Sequence, residues 1–445
     1  MNRLSLSPRS LPSSAAVLFS LAFALSACSG AHQATPAPAP APAPGAQSAA
    51  LRIAERYRVA AITTRRFTPE AYWRIVGPLV AKPGFRTEEI GRSLNGRPIR
   101  AVTFGEGKTT VLLWSQMHGD EATATMALAD IFRFLGEATG DSVRERLRRG
   151  LRIVAVPMLN PDGAEHFQRR NAAAIDINRD ARRLATPEGR ALKALRDRLS
   201  PAFGFNLHDQ NARTRVGRDG KQAAIALLAP AFSEDRSYNA VRTRARLLAA
   251  AVAQTLAPEI PGRIAKYDDT FNVRAFGDNM QRWGTSTILI ESGALPDDPQ
   301  KQRLRALNVV AILSALDAIA TGRYERADPA AYDTLPFNAT DGYDLLVRGG
   351  RLVLPHQAPV AADLAIDYED AVAHTGPIVR DVGDLSDAVA VDTIDATGLF
   401  LHPVGVLAYS DGEGTWLRLG APATIEIRRG ADRTSALVRR IGHVR

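Results

Sequence analysis

The spacing of apolar residues changes several times along this chain. Two short apolar runs, 99–104 and 109–115, stand on either side of Gly105-Glu106-Gly107-Lys108 and read as strands with a hairpin-like break between them. Beyond Glu121 the period lengthens. Leu128, Ile131, Phe132 and Leu135 fall at i, i+3, i+4 and i+7, the buried face of a helix. Residues 151–159 form a continuous apolar run rich in β-branched side chains, as expected of a strand covered on both faces. Shorter strands are predicted over 203–207 and 286–291, with helices over 187–198 and 239–254. Strands alternating with helices predict an α/β domain with a mixed central sheet flanked by helices.

Past about residue 330 the pattern shortens. Pro329, Pro336 and Gly342 interrupt the chain, and short strands are predicted over 345–347, 351–354, 364–366, 389–394, 416–419 and 424–427. In the last of these Ala423, Ile425 and Ile427 alternate with Thr424, Glu426 and Arg428, a half-buried pattern. We therefore expect an α/β domain over 55–328 and a separate β-rich, sandwich-like domain over 335–445.

With 445 residues and 45% hydrophobic content, the chain can build one large core and one smaller one. Its formal charge of +9 comes from scattered residues, mostly arginine. No basic block interleaved with aromatics is present, and the module signatures of nucleic-acid binding are missing, so a nucleic-acid partner is not expected. At the amino end, Arg3 and Arg9 precede an apolar stretch over 15–27. That stretch is short of the about 20 residues a transmembrane helix needs and fits the core of a secretory signal. It ends in Leu25-Ser26-Ala27-Cys28, which resembles a bacterial lipoprotein signal. The resemblance implies that 1–27 is removed, that Cys28 is lipidated, and that the protein is lipid-anchored in a bacterial envelope on the periplasmic side. Ser29 after the cysteine fits outer-membrane sorting in that family of signals. The plainer reading is an ordinary signal with a chance cysteine. Cys28 is the only cysteine, so no disulfide can form within the chain. Residues 28–54 read as a linker whose Ala-Pro repeat favours an extended polyproline II spacer.

The candidate chemistry begins in Ser115-Gln116-Met117-His118-Gly119-Asp120-Glu121. His118 and Glu121, at the point where a strand turns into a helix, can reach one metal ion, and strand ends are where α/β proteins place their sites. A catalytic zinc site takes three protein ligands and leaves one position open. His208, ending the apolar strand 203–207, reads either as the third ligand or as a core or capping histidine. Glu291 ends a buried apolar run, where a carboxylate is costly unless paired or used. Burial there would raise its pKa toward that of a general base; the plainer role is a helix cap.

Between these residues stand Asn160-Pro161-Asp162-Gly163, Arg169-Arg170-Asn171 and Asp176-Ile177-Asn178-Arg179-Asp180. In this order, from His118-x-x-Glu121 through His208 to Glu291, the set resembles the zinc carboxypeptidase (M14) family over about 55–325. Gly91-Arg92-Ser93 and Asn95-Gly96-Arg97-Pro98 resemble its lead-in. The resemblance implies one zinc per chain, held by His118, Glu121 and His208, with Glu291 as general base. It implies that Asn178 and Arg179 grip a substrate's terminal carboxylate and that Asp176 orients His118. It implies that Arg169, or Arg170 one residue along, polarises the scissile carbonyl. The expected substrate is a peptide or peptide-like molecule with a free carboxylate. Murein-peptide amidase or amino-acid deacylase activity on the same fold is the alternative, and a non-catalytic binding protein the alternative of another class. The family's mobile tyrosine has one candidate, Tyr267. An acidic pocket residue would favour basic side chains, and Asp268, Asp269 and Asp278 are all candidates.

Overall fold

Among the described residues nine strands precede residue 300: β1 (Phe85–Arg92), β2 (Pro98–Phe104), β3 (Thr109–Ser115), β4 (Leu151–Val156), β5 (Phe203–Asp209), β6 (Arg215–Val216), β7 (Ile225–Leu228), β8 (Ile264–Lys266) and β9 (Ser286–Ser292). In this computed structural model eight of them form one sheet in the order β1-β2-β4-β3-β5-β9-β7-β8. β4, β3, β5 and β9 run parallel, while β2 and β7 join from either side as antiparallel neighbours. The structure describes residues 49–411 and 414–442. The signal segment, Cys28 and the rest of the linker as far as residue 48 lie outside the described residues. A helix, Ala49–Arg56, begins inside the stretch read as linker, runs past its end and buries Ala54.

The parallel strands are buried because helices cover both faces. Val111 and Leu113 of β3 face one core with the Thr123–Glu137, Ala240–Leu256 and Gln302–Thr321 helices, while Leu112 and Trp114 face another with the Pro187–Leu199 and Phe276–Arg282 helices. Opposite pointing of successive side chains, with apolar cover on each side, yields the continuous apolar run seen in the sequence. The Gln302–Thr321 helix is long and apolar enough to cross a membrane, but most of it is buried inside this core.

One expectation is corrected. β2 and β3 do not pair with each other, because β4 lies between them. Gly105 and Gly107 carry the connection across the end of the Ser142–Gly150 helix rather than around a hairpin. A Cβ on Gly107 would stand 2.0 Å from the carbonyl carbon of Gly150, and Gly107 N–H donates to Leu151 O at 3.0 Å. Glycine serves close backbone approach here, a use that its sequence signal shares with tight turns.

The carboxyl-terminal region is β-rich, as expected. β10 (Asn338–Ala339) pairs with β6. Then come β11 (Tyr343–Leu352), β12 (Val360–Asp370), β13 (Thr375–Gly383), β14 (Ala390–Asp395), β15 (Phe400–Pro403), β16 (Ala408–Ser410), β17 (Thr415–Leu417), β18 (Ile425–Arg428) and β19 (Leu437–Ile441). β16 and β17 pair only with each other; the remaining seven form one sheet. β11 changes partner along one edge, from β14 over its first half to β15 at Arg351 and Leu352. The change falls at Gly349 and Gly350, where a Cβ on Gly350 would lie 2.6 Å from Leu401. The two branches enclose a core that includes Leu345, Val347, Ile366, Leu401, Ile425 and Ile427. β13, β15 and β19 have no counterpart among the strands expected from the sequence. Thr-Gly-Pro-Ile-Val-Arg-Asp-Val-Gly and Leu-Val-Arg-Arg-Ile lack clean alternation, and β19 is mostly exposed.

Candidate metal centre and its cavity

The strand-to-ligand turn after β3 is tightly specified. Gln116 takes a left-handed conformation at φ 50°, which costs a non-glycine residue energy. Its side-chain amide donates to Gly119 O at 2.8 Å, and its carbonyl accepts from Asn160 N–H at 3.0 Å. A Cβ on Gly119 would stand 2.0 Å from the carbonyl carbon of Gly163. The Asn-Pro-Asp-Gly stretch is therefore a brace. Gly163 lets the loop carrying His118 pass, and Asn160 Oδ1 caps the next helix through Gly163 N–H at 2.9 Å. Asp162 accepts from Ser93 Oγ at 2.8 Å, Asn95 N–H at 3.1 Å and Arg97 Nη1 at 2.7 Å. The Ser93–Arg97 lead-in is thus tied to the brace.

Three strand ends deliver the centre. β3 leads to His118 and Glu121, β5 carries His208, and β9 carries Glu291, which pairs with His208 in the β5–β9 register. His118 Nδ1 lies 2.7 Å from Glu121 Oε1 and His208 Nδ1 2.7 Å from Glu121 Oε2. The two Nδ1 atoms are 3.2 Å apart. All three residues are buried, and their candidate ligand atoms lie within 4.8 Å of one another.

This set fits a zinc ion. The Nδ1 separation is near the about 3.3 Å edge of a tetrahedron built from zinc–nitrogen bonds of about 2.0–2.1 Å. The electrostatics agree. Burial works against a charge on His118, yet Glu121 and Asp176 outweigh it and raise its pKa to about 9, whereas burial pushes His208 down. A buried carboxylate flanked by two imidazoles calls for one compact positive charge. His118 Nε2 lies 3.0 Å from Asp176 Oδ1, the kind of outer partner that fixes a ligand imidazole's orientation. His208 Nε2 is buried without a hydrogen-bond partner.

Arg169 rather than Arg170 reaches the cluster. Its Nη1 donates to Glu121 Oε1 at 3.1 Å, and its Nε and Nη2 donate to Asp176 Oδ2 at 3.2 and 3.0 Å. Arg170 turns outward to Ala174 O. Burial of the Asp176 carboxyl is outweighed by His118 and Arg169, which hold its pKa below the usual range. Burial and the charge of Glu121 raise the pKa of Glu291 to about 8.

A cavity of about 410 Å³ opens beside the triad, with His118, Glu121, Arg169 and Glu291 at one end and Asn178, Arg179 and Asp278 among its other lining residues. Asn178 Oδ1 accepts from Phe276 N–H at 2.9 Å, which leaves its NH₂ group to donate. Asp180 closes this stretch by accepting from Thr186 N–H and Oγ1. Of the three acidic candidates, Asp268 and Asp278 line the cavity, and burial pushes Asp278 up to about 6. Asp269 instead pairs with Arg236 and Arg242.

Tyr267, the one candidate for the mobile tyrosine, lines the cavity, and the Glu291 charge and burial raise its pKa. Sequence reasoning left Asp209 and Lys301 aside. Asp209 Oδ2 accepts from Thr123 Oγ1 at 2.6 Å and Lys301 Nζ at 2.9 Å, while its N–H donates to Glu121 Oε2 at 3.1 Å. The only sequence signal was Asp209's position next to His208, and Lys301 gave none. Asp120 Oδ1 is buried and unpartnered.

Comparison with known proteins finds a match to the zinc carboxypeptidase (Peptidase M14) family model over residues 81–207, which stops one residue before His208. An uncharacterised protein of Zymomonas mobilis is 27% identical over 156 residues, 34% of this chain and 40% of that protein. A probable carboxypeptidase 2 of Trichophyton verrucosum is 32% identical over 126 residues, 28% of this chain. The chain thus spans less than half the length of these relatives, 40% of the first and 24% of the second. Among solved structures, a metallo-carboxypeptidase from Burkholderia cenocepacia superimposes with a TM-score of 0.45 at 19% identity, covering 57% of this chain and 70% of that one.

Proposed function

We propose that this chain, whose residues 81–207 match the zinc carboxypeptidase (M14) family model, hydrolyses the amide bond next to a free terminal carboxylate, using one zinc ion per chain. The observation that carries this reading is the convergence of His118, Glu121 and His208 beside Glu291, with Arg169 and Arg179 in the same cavity.

His118, Glu121 and His208 would hold the ion. When bound, zinc supplies Lewis acidity toward a water molecule and the scissile carbonyl. The chain's own groups do the rest. Arg179, with the NH₂ group of Asn178, binds the terminal carboxylate; a planar guanidinium suits it in bidentate fashion. That grip places the preceding amide at the triad. Glu291 takes a proton from the attacking water and passes it to the departing amine nitrogen, a task matched by a pKa raised toward neutrality. Arg169, steadied by Asp176 on the side away from substrate, faces the oxygen on which negative charge develops. Asp278 and Asp268 make the cavity that receives the terminal side chain polar, which favours a polar or basic residue over an aliphatic one. The lipid anchor at Cys28, and with it an envelope location, is part of the same proposal and rests on the signal sequence alone.

The test is metal analysis combined with release of the terminal residue from a peptide and from its carboxyl-amidated twin. We expect about one zinc per chain and turnover of the free-carboxylate peptide only. Absence of zinc from the purified protein would overturn the reading. So would equal turnover of the amidated twin, or His208→Ala retaining activity. For the anchor, Cys28→Ser should move the protein from the membrane to the soluble fraction.

A further inference from the structure

A second cleft, of about 360 Å³, lies against the triad. It shares Glu121, Arg169, Asp209, Gln210 and Asn211 with the Arg179 cavity, so the two adjoin at the centre. Neither Arg179 nor Glu291 lines it. Its outer wall is Tyr368–Val372, the end of β12 and the start of the turn into β13, from the carboxyl-terminal sheet.

This wall is pinned in place. Arg65 and Arg66 both pair with Asp370, and Arg66 lies 4.5 Å over the ring of Phe167. Asp370 Oδ1 also accepts from Val372 N–H at 3.2 Å and Ala373 N–H at 3.1 Å, which shapes the turn. Behind it, Arg213, five residues after His208, holds Asp367 at 2.6 Å. Glu369 is exposed and lines the cleft. On the catalytic side the cleft carries Asp120, whose buried Oδ1 has no hydrogen-bond partner.

A substrate with its terminal carboxylate at Arg179 and its scissile carbonyl at the triad must continue away from Arg179. The shared residues direct that continuation into this cleft. We propose that the β12–β13 turn is part of the substrate site and contacts the acyl side, so that the substrate is a peptide extended upstream of the scissile bond rather than a singly acylated amino acid. This inference rests on the carboxypeptidase reading above and names the substrate class within it. Contacts to remote, non-reacting parts of a substrate are a usual source of specificity, and a cavity of this size falls in the range of ligand sites.

The experiment uses the full chain loaded with zinc. Its substrates share one terminal residue and run from an N-acyl amino acid to N-acyl di-, tri- and tetrapeptides. For the wild type, kcat/KM should rise with extension. Ala371→Trp places bulk on the cleft wall at a half-buried turn position. It should remove that rise, lowering kcat/KM on the extended peptides by about tenfold or more while leaving the N-acyl amino acid unchanged. Asp370→Asn, which loosens the wall, should raise KM for the extended peptides with little change in kcat. Zinc content and thermal unfolding of each variant separate these effects from misfolding. If the wild type shows no gain with extension, or both variants keep the wild-type profile, the wall assignment is overturned and the carboxypeptidase reading stands. If no member of the series is hydrolysed, that reading falls and the inference with it.

Discussion

The two large sheets of this protein use charge in opposite ways. In the central sheet, the carboxyl ends of β3, β5 and β9 gather His118, Glu121, His208 and Glu291 in a buried cluster whose pKa values are driven apart. In the carboxyl-terminal sheet, Asp367 and Asp370 meet arginines from the first region in pairs that fasten one part to the other. A cluster with unmet electrostatic demand is a site, because a ligand or a proton must complete it. Ion pairs across two regions act as anchors. Removing a group should therefore cost activity in the first region and stability or selectivity in the second.

The sharpest break of that contrast lies at Glu291. Glu291→Gln should retain zinc and lower kcat by about 10²–10⁴-fold, the usual span for a general base. Metal analysis beside turnover checks this, and loss of zinc would make Glu291 a ligand rather than a base. Arg179→Met should lower kcat/KM by about 10- to 100-fold, in line with about 1.5–3 kcal/mol for hydrogen bonds to a charged group. It should also erase the difference between free and amidated peptide ends, as a substrate pair would show. Across the boundary, Arg213→Ala should leave zinc binding intact but destabilise the protein by about 1–3 kcal/mol, since Asp367 loses a half-buried partner. Denaturant unfolding measures that cost, and an unchanged midpoint would mean the sheets are held by other contacts.

The smallest effect concerns pH. Burial pushes the Asp370 carboxyl up, but the Ala373 N–H and the charges of Arg65 and Arg66 outweigh it and hold its pKa below the ordinary 3.8. A carboxylate depressed on folding contributes stability above its unfolded pKa and loses it as pH falls through the folded one. Wild type should therefore exceed Asp370→Asn in stability at neutral pH, and the gap should close as pH falls below about 4. Thermal unfolding across that range reads the difference. A gap that stays constant would show that the wall is held by packing instead.

The chain's periodicities settled a good deal unaided. Apolar runs marked the parallel strands, and i, i+3, i+4, i+7 spacing marked the Thr123–Glu137 helix, because burial on two faces or on one stripe writes itself directly into residue order. His118-x-x-Glu121 and the ordered residues after it also named the metal chemistry, since ligand types and their proximity to strand ends are local properties. Other matters needed three dimensions. β4 enters between β2 and β3, which no local pattern encodes, because the glycines that permit the crossing look like turn glycines. Arg169 reaches the centre and Arg170 does not, a choice made by Asp176 seven residues on and by Glu121 from another stretch of the chain. Lys301 reaches Asp209 beside the triad from the far side of the sequence. The wall at Tyr368–Val372 is tied to the cleft by ion pairs between residues about 150–300 positions apart. Local order determines elements and ligand types, because the periodicity of burial and the chemical type of a candidate ligand can be read within a short stretch. Tertiary packing decides which of the many charged groups face one another across a low-dielectric gap, and that choice turns a metal-binding motif into a site with two sides.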